Sequence, residues 1–464
     1  MIPLQKTSNK SDLLSGDIAA TLRRMTLPVV LGMILLMTFG LVDTFFVSLL
    51  GTEQLAAISF TFPVTFTVIS LNIGLGIGTS ATIAKLLGAG DREHAKVTGT
   101  TALTIALLLV IGLTVIGIFT IEPIFTLLGA TEVHMPFIID YMVVWYGAGI
   151  FLSLPMVGNS VLRACGDTKT PSIIMALGGL INAVLDPILI FGFGPIPAMG
   201  IQGAALATLI AWGVGSVHIL YLLAVKRKLI EPRLLRFSEL RASGGNILRI
   251  GIPAAGANML TPIANGVLTA IVATYGTAAV ASWGVGGRIE SIACIVVLAL
   301  SMTLPPFISQ NYGAGKIHRV KQAYKFALKF VLFWQLLIFV LMWILSPFIA
   351  NIFAQEKEVI ELIQLFLMIV PLGYGLQGII ILTNSSLNAM HKPMMALTLS
   401  ILRLFVFFVP ISYLGSILYQ LSGMFWMGVV ANLLTACVSV VWFRKLLSDE
   451  FALSEALSVA KQEG

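Results

Sequence analysis

Charge is what this sequence has least of. Only 11% of its 464 residues are Asp, Glu, Lys or Arg, while 58% are hydrophobic; a soluble domain carries roughly 25% charged residues. With a mean hydropathy of +0.98, that scarcity excludes a soluble globular chain and turns the fold question into a count of membrane spans. Cysteine is scarce too. Cys165, Cys294 and Cys437 are far apart and odd in number, which excludes a disulfide framework and a thiolate metal site. The five histidines (His94, His134, His218, His318 and His391) are scattered and mostly near segment ends, so they form no metal motif. No Asp-rich or His-rich loop and no convergent acid, base and nucleophile appear. The expectation is therefore a non-enzyme without cofactor. Alternating apolar and polar runs are missing, which excludes a barrel. No small-residue cleavage site follows the first apolar run, and the run is too long for a signal-peptide core, so it reads as a helix.

What is present is a series of long apolar segments, at about 25–49, 57–84, 99–121, 137–160, 171–193, 200–225, 248–274, 280–308, 325–350, 360–384, 394–418 and 422–443. Each is near the ~20 residues a bilayer requires. Bases exceed acids by 28 to 21, giving +7, and the excess is confined to alternate loops. One set holds Lys85, Arg92, Lys96, Arg163, Lys169, the basic stretch 226–249, Lys316, Arg319, Lys321, Lys392 and Arg444. The other holds mainly Glu53, Glu122, Glu132, Glu356, Glu358 and Glu361. The positive-inside rule makes the first set cytoplasmic, with both termini inside, and accounts for the excess without a nucleic-acid partner. The expected class is all-α integral membrane, with about twelve spans. It divides as a cytoplasmic segment 1–24, a six-helix bundle 25–225, a cytoplasmic linker 226–247, a second six-helix bundle 248–444 and a cytoplasmic tail 445–464.

The two halves repeat at one constant offset. Pro28 falls on Pro253, Gly51 on Gly276, Gly88-Ala-Gly90 on Gly313-Ala-Gly315, and Asn159-Ser160 on Asn384-Ser385. Six spans per unit make both units enter from the same side, a parallel repeat about an axis along the membrane normal.

Several stretches make the sequence resemble the multidrug and toxic compound extrusion (MATE) transporters over nearly its whole length. They are Gly51-Thr-Glu-Gln-Leu-Ala-Ala after helix 1, Leu87-Gly-Ala-Gly-Asp-Arg92 after helix 2, Leu162-Arg-Ala-Cys-Gly-Asp-Thr-Lys-Thr-Pro171 between helices 4 and 5, and Asn182-Ala-Val-Leu-Asp-Pro187 in helix 5. Asp43 with Asn182, Asp186 and Pro187 looks like the branch related to DNA-damage-inducible proteins. The repeat partner of Asp43 is Leu268, and helix 10 carries only Glu361 at its outer end, so the acidic residues of the other bacterial branch in helices 7 and 10 are missing. The resemblance implies a multi-pass inner-membrane antiporter that exports organic, often cationic, compounds against an inward flow of H⁺ or Na⁺. Its partners would be small organic molecules and the lipid bilayer, and it would act as a monomer.

A charge inside a span costs at least ~3 kcal/mol on insertion scales, so each one asks for a use. From the helix rise, Asp43 lies roughly 27 Å beyond Met25 in helix 1, and Asp186 lies roughly 22 Å beyond Pro171 in helix 5. Both are therefore in the outer half of helices that run outward. Asn182 precedes Asp186 by one turn and shares its face. Thr208 lies at similar depth in helix 6; in the family a helix 6 threonine joins the cation site. These four residues are the expected cation- or proton-coupling group. Two carboxylates suffice for protons, which is the reading adopted, with rocking of one bundle against the other. Na⁺ on the same four oxygen-bearing side chains is the close alternative, and a lipid-linked substrate flippase of the related superfamily is another. Blander roles stay open for each residue: Asp43 snorkelling to water, Asp186 satisfying the backbone at Pro187, Asn182 bonding a neighbouring helix, Thr208 bonding its own helix. Asn159, Met33 and Met37 are candidate substrate-pocket residues, with structural or packing roles as their alternatives. Pro28 is a candidate hinge of helix 1, against a cost-free first-turn proline. Arg288, Glu290 and Arg403 are intramembrane charges without an assigned role; residues two apart do not face each other on a helix, so Arg288 and Glu290 should not pair.

Overall fold

The computed structural model describes residues 13–231, 233 and 235–463, with the side chains of 52, 55 and 453–463 outside the description. Lys6 and Lys10 lie outside the described residues. The chain is helical throughout: α1 (Ile18–Ser48), α2 (Thr52–Gly88), α3 (Arg92–Leu127), α4 (Met135–Ala164), α5 (Lys169–Phe191), α6 (Gly200–Tyr221), α7 (Phe237–Ala273), α8 (Thr277–Ala293), α9 (Ile295–Gly313), α10 (Ile317–Phe353), α11 (Lys357–Ile369), α12 (Tyr374–Ala389), α13 (Pro393–Ile401) and α14 (Val409–Glu463). Ten helical runs are long and apolar enough to cross a bilayer, and α8 with α9, bent by 45°, make one more. The run Pro393–Ala452 has 60 residues, twice a span. It breaks at Tyr419 (φ −139°) and Gln420 (φ 56°). Counting it twice gives the twelve spans read from the sequence. Large apolar side chains such as Phe119, Val217, Phe333 and Ile344 face outward on these helices, as lipid-facing surfaces require.

The repeat has a backbone cause. Gly51 and Gly276 hold φ of 132° and 100°, and Gly90 and Gly315 hold 88° and 71°. A Cβ is disfavoured at such angles, so glycine recurs at both turns of both halves. After α2, the loop continues into a capped helix. The Asp91 side chain accepts from the His94 backbone N–H (3.2 Å) and contacts its ring at 2.7 Å, and those bonds hold the Asp91 carboxyl below the usual range.

Two helices differ from the expected boundaries. α1 begins at Ile18 rather than near 25, because Asp17 caps it by accepting the Ala20 N–H at 2.8 Å. Pro28 is therefore in the helix interior, not in a first turn. α7 begins at Phe237, ahead of its apolar run. Arg233 grips Glu239 with both terminal nitrogens (2.9 and 2.8 Å), and Glu239 accepts the Arg236 N–H at 2.9 Å.

Leu27–Ala255 form one compact unit, and the described residues on either side of that stretch form the other. The chain thus changes unit inside α1 and inside α7. In the second unit, Leu13, Leu22 and Met25 pack with Leu304, Phe307 and Val320. Thr26 Oγ1 meets Thr303 Oγ1 at 2.8 Å. The Leu13 carbonyl accepts from Asn311 (3.0 Å) and the Gly16 carbonyl from Arg319 (2.7 Å). In the first unit, the opening turns of α7 lie on α2. A Cβ on Gly78 would meet the Ile247 carbonyl, and one on Gly74 the Gly251 carbonyl. Two glycines four apart let two backbones approach this closely. The two crossings correspond: the repeat that carries Pro28 onto Pro253 also carries Thr26 onto Gly251 and Gly78 onto Thr303.

Interruptions near the middle of a span fall in the second half among the described residues, whereas α6 ends the first half in a π stretch at Leu222–Lys226. α8 gives way to α9 at Cys294, α11 passes through a 3₁₀ turn at Val370–Gly373, and α13 joins α14 through a π stretch at Leu402–Phe408. Pro371 accounts for the second break by withholding its N–H.

Candidate functional site

The polar residues of the first unit gather at one level. Asp43 lies five residues before the end of α1, Asp186 five before the end of α5, and Thr208 eight after the start of α6. At 1.5 Å per residue all are within about 8–12 Å of helix ends on the same side. The Asp43 and Asp186 carboxyl groups are within hydrogen-bonding reach of each other. Asp186 is fully buried, and Asp43, Asn182 and Thr208 are half-buried. Asn182 Nδ2 donates to Asp186 Oδ1 and to Thr208 Oγ1, each at 3.3 Å, and the Thr208 hydroxyl donates to the Ala204 carbonyl at 3.1 Å. That chain of bonds fixes which end of the Asn182 amide faces Asp186. Asp186 Oδ2 is buried and meets no donor among the described residues.

Two carboxyl groups in contact hydrogen-bond only if one carries a proton. The arrangement can hold a single shared proton, and its loss leaves two like charges facing each other in an apolar bundle.

Tyr141, six residues into α4, lies within electrostatic reach of both carboxyls. Sequence reasoning missed it. The depth argument that selected Thr208 would have found it, since a phenol so near the start of α4 falls in the same layer.

The other sequence candidates sit elsewhere. Asn159 is buried with its Oδ1 unpartnered. It lies about 27 Å along α4 from Tyr141, from the rise of the helix, so the structure does not bring it to the carboxyls. Its repeat partner Asn384 donates to Ser400 Oγ at 3.0 Å. Met33 and Met37 are half-buried on α1, one turn apart. Arg288 is exposed and forms no ion pair with Glu290 among the described residues. Glu290 instead accepts from Gln377 Nε2 at 3.0 Å and has Arg403 within electrostatic reach.

Residues 28–188 and 253–414 match the MatE family model, so the two matches begin at the repeat-related prolines Pro28 and Pro253. In sequence the chain is 42% identical over 426 residues to a FAD transporter of Shewanella oneidensis, covering 92% of this chain and 94% of that one. It is 26% identical over 432 residues to the multidrug export protein MepA of Staphylococcus saprophyticus, covering 93% and 94%. In structure it is similar to the Vibrio cholerae MATE transporter VcmN in the bent form, with TM-score 0.89, 35% identity, and 95% and 98% of the two chains covered. An outward-facing multidrug resistance MATE family transporter of the MOP superfamily gives TM-score 0.89 at 30% identity, covering 96% and 99%.

Proposed function

This chain belongs to the MatE family of multidrug and toxic compound extrusion transporters, and we propose that it is a secondary active exporter driven by protons through Asp43 and Asp186. The observation that carries the reading is the contact between these two carboxyls inside the first bundle. Its substrates are organic compounds. Flavin nucleotides are among them, on the strength of the 42% identity to the Shewanella FAD transporter. Protonation from outside lets Asp43 and Asp186 hydrogen-bond and close the pocket. Release of the proton inside separates them and reopens it. The six-helix bundles 25–225 and 248–444 rock against each other, as parallel repeats do in alternating access. The basic loops support a cytoplasmic side for both termini at the inner membrane by the positive-inside rule, and the exporter works as a monomer.

Na⁺ is the second reading, since Asp43, Asp186, Asn182 and Thr208 all carry oxygens that suit a hard cation. The bonding favours protons. Asn182 presents its amide nitrogen to Asp186 and Thr208, so its oxygen would have to turn before a cation gained it as a ligand. Proteoliposomes loaded with a flavin nucleotide or a cationic dye test the choice. A pH gradient alone drives transport, and a Na⁺ gradient at clamped pH does not. Transport by the Na⁺ gradient at an equal rate would reverse the assignment.

Pro28 serves as the hinge of α1. It lies in the helix interior, two residues from the point where the chain passes from one compact unit to the other. An interior proline weakens a helix by ~3 kcal/mol, so bending is concentrated there. Pro28→Ala restores the missing donor and stiffens α1. Transport falls by about tenfold or more while substrate binding in detergent is unchanged. Wild-type transport by Pro28→Ala would remove the hinge and leave the carboxyl pair standing.

A further inference from the structure

The three interrupted spans of the second unit meet at one cluster. Glu290 lies one turn before the break at Cys294, and Tyr374 and Gln377 follow the 3₁₀ turn at Val370–Gly373. Arg403 lies within the π stretch Leu402–Phe408. Glu290 is well past the start of α8 at Thr277, Gln377 well before the end of α12 at Ala389, and Arg403 well past the start of α13 at Pro393. The helix rise puts each about 15–20 Å from that helix end, near mid-span. Transporters build substrate sites at this depth from discontinuous helices, and π stretches within helices recur at functional sites.

The chemistry of the cluster is a surplus of donors. Arg403 is half-buried, and its Nε is buried without a partner among the described residues. The Tyr374 hydroxyl is buried without a partner as well, in a side chain 1% exposed. The nearby acceptor, Glu290, is taken by Gln377 at 3.0 Å, and no ion pair joins it to Arg403 among the described residues. Tyr374 and Arg403 both lie within electrostatic reach of Glu290 and Cys294. Buried donors left open in this way are costly, and a guanidinium inside a bilayer is more so. Water-filled space or an anionic ligand would satisfy them, and a planar guanidinium fits the oxygens of phosphate or carboxylate in pairs.

We propose that Arg403 and Tyr374 form an anion-recognising subsite in the second bundle, which holds the phosphate or carboxylate of a transported organic molecule. Gln377 is a positioning residue that keeps Glu290 off Arg403. When the anion leaves, Glu290 is the carboxylate that takes its place. The inference rests on the exporter reading given above and adds to it the class of substrate the second bundle receives. It lies in a different bundle from the carboxyl pair, so substrate charge and coupling ion are read at separate places.

Equilibrium binding of two flavins to detergent-purified protein tests it by fluorescence quenching. Riboflavin and flavin mononucleotide share a ring and differ by one phosphate. Wild type binds the phosphorylated flavin about tenfold or more tightly than riboflavin. Arg403→Gln brings the two within about twofold by weakening only the phosphorylated one. Tyr374→Phe keeps the packing and removes one donor; it narrows the preference by about threefold. Glu290→Gln widens the preference, because the competing carboxylate is gone. A wild type that binds neither flavin or both alike overturns the proposal, as does an Arg403→Gln protein that keeps the full preference or weakens both flavins equally. If Arg403→Gln fails to fold, the Tyr374→Phe ratio decides alone. No gradient is present in the assay, so failure of proton coupling would leave the binding ratio intact.

Discussion

Asp43→Asn leaves the exporter folded in the membrane and stops export. The amide keeps the shape of the side chain and still donates to Asp186, so α1 keeps its neighbour at the level of Asn182 and Thr208. The substitution also removes a charge from an apolar bundle, and its effect on stability stays within about 1 kcal/mol. What is lost is the cycle. An amide cannot pick up a proton on one side and release it on the other, and Leu268, the residue at the corresponding place in the second half, is buried and apolar. Export of a flavin nucleotide or a cationic dye by proteoliposomes falls to background under a pH gradient, about a hundredfold or more. The melting temperature and elution profile remain those of the wild type. Proton-driven export by Asp43→Asn at the wild-type rate would mean that the carboxyl pair is structural.

The second large effect is on folding. Gly78→Val puts a branched side chain against the Ile247 carbonyl, where even a single Cβ does not fit. The obstacle is backbone, not the end of a flexible side chain, so α2 and α7 must separate. Overpacking of this kind costs about 1–3 kcal/mol, and a rigid obstacle places it at the top of that range. Gly213→Val is the matched control, since a Cβ at Gly213 meets nothing within 4 Å. Gly78→Val lowers the melting temperature and the yield of monodisperse protein, and Gly213→Val changes neither. Equal melting temperatures for the two variants would show that the helices do not need this approach.

The contrast between these two sites explains what a reader of the sequence could see. The spans were legible because long apolar runs have few other uses, and the repeat was legible because Gly51, Gly90, Gly276 and Gly315 answer to backbone angles that other residues disfavour. Asp43, Asp186, Asn182 and Thr208 could be grouped from depth alone, since charge and amide inside a span are rare. Tyr141 was overlooked because phenols are common in spans and carry no alarm. Glu290 and Arg403 stood out as charges, but their neighbourhood was illegible. It depends on breaks at Cys294 and Leu402 that no proline or glycine announces. The early start of α1 was hidden for another reason. Ile18 to Arg24 are too polar to count as bilayer, and only the Asp17 cap and the packing of Leu22 extend the helix through them.

The passage of the chain between units inside α1 and α7 has a genetic side. A duplicated six-helix unit is often imagined as two parts that could once have stood alone. Here a cut in the linker, at residues 227–236, yields fragments that each carry a piece of the other's interior. The first fragment owns Leu13, Leu22 and Met25, which finish the core around Leu304, Phe307 and Val320. The second owns the turns of α7 that lie on Gly74 and Gly78. Neither fragment has its full core without the other. The exchange resembles a domain swap frozen into one polypeptide, and it ties the inheritance of the two halves together. Each half is completed by the opening turns of the other half's first helix, so the two are made and kept as one product.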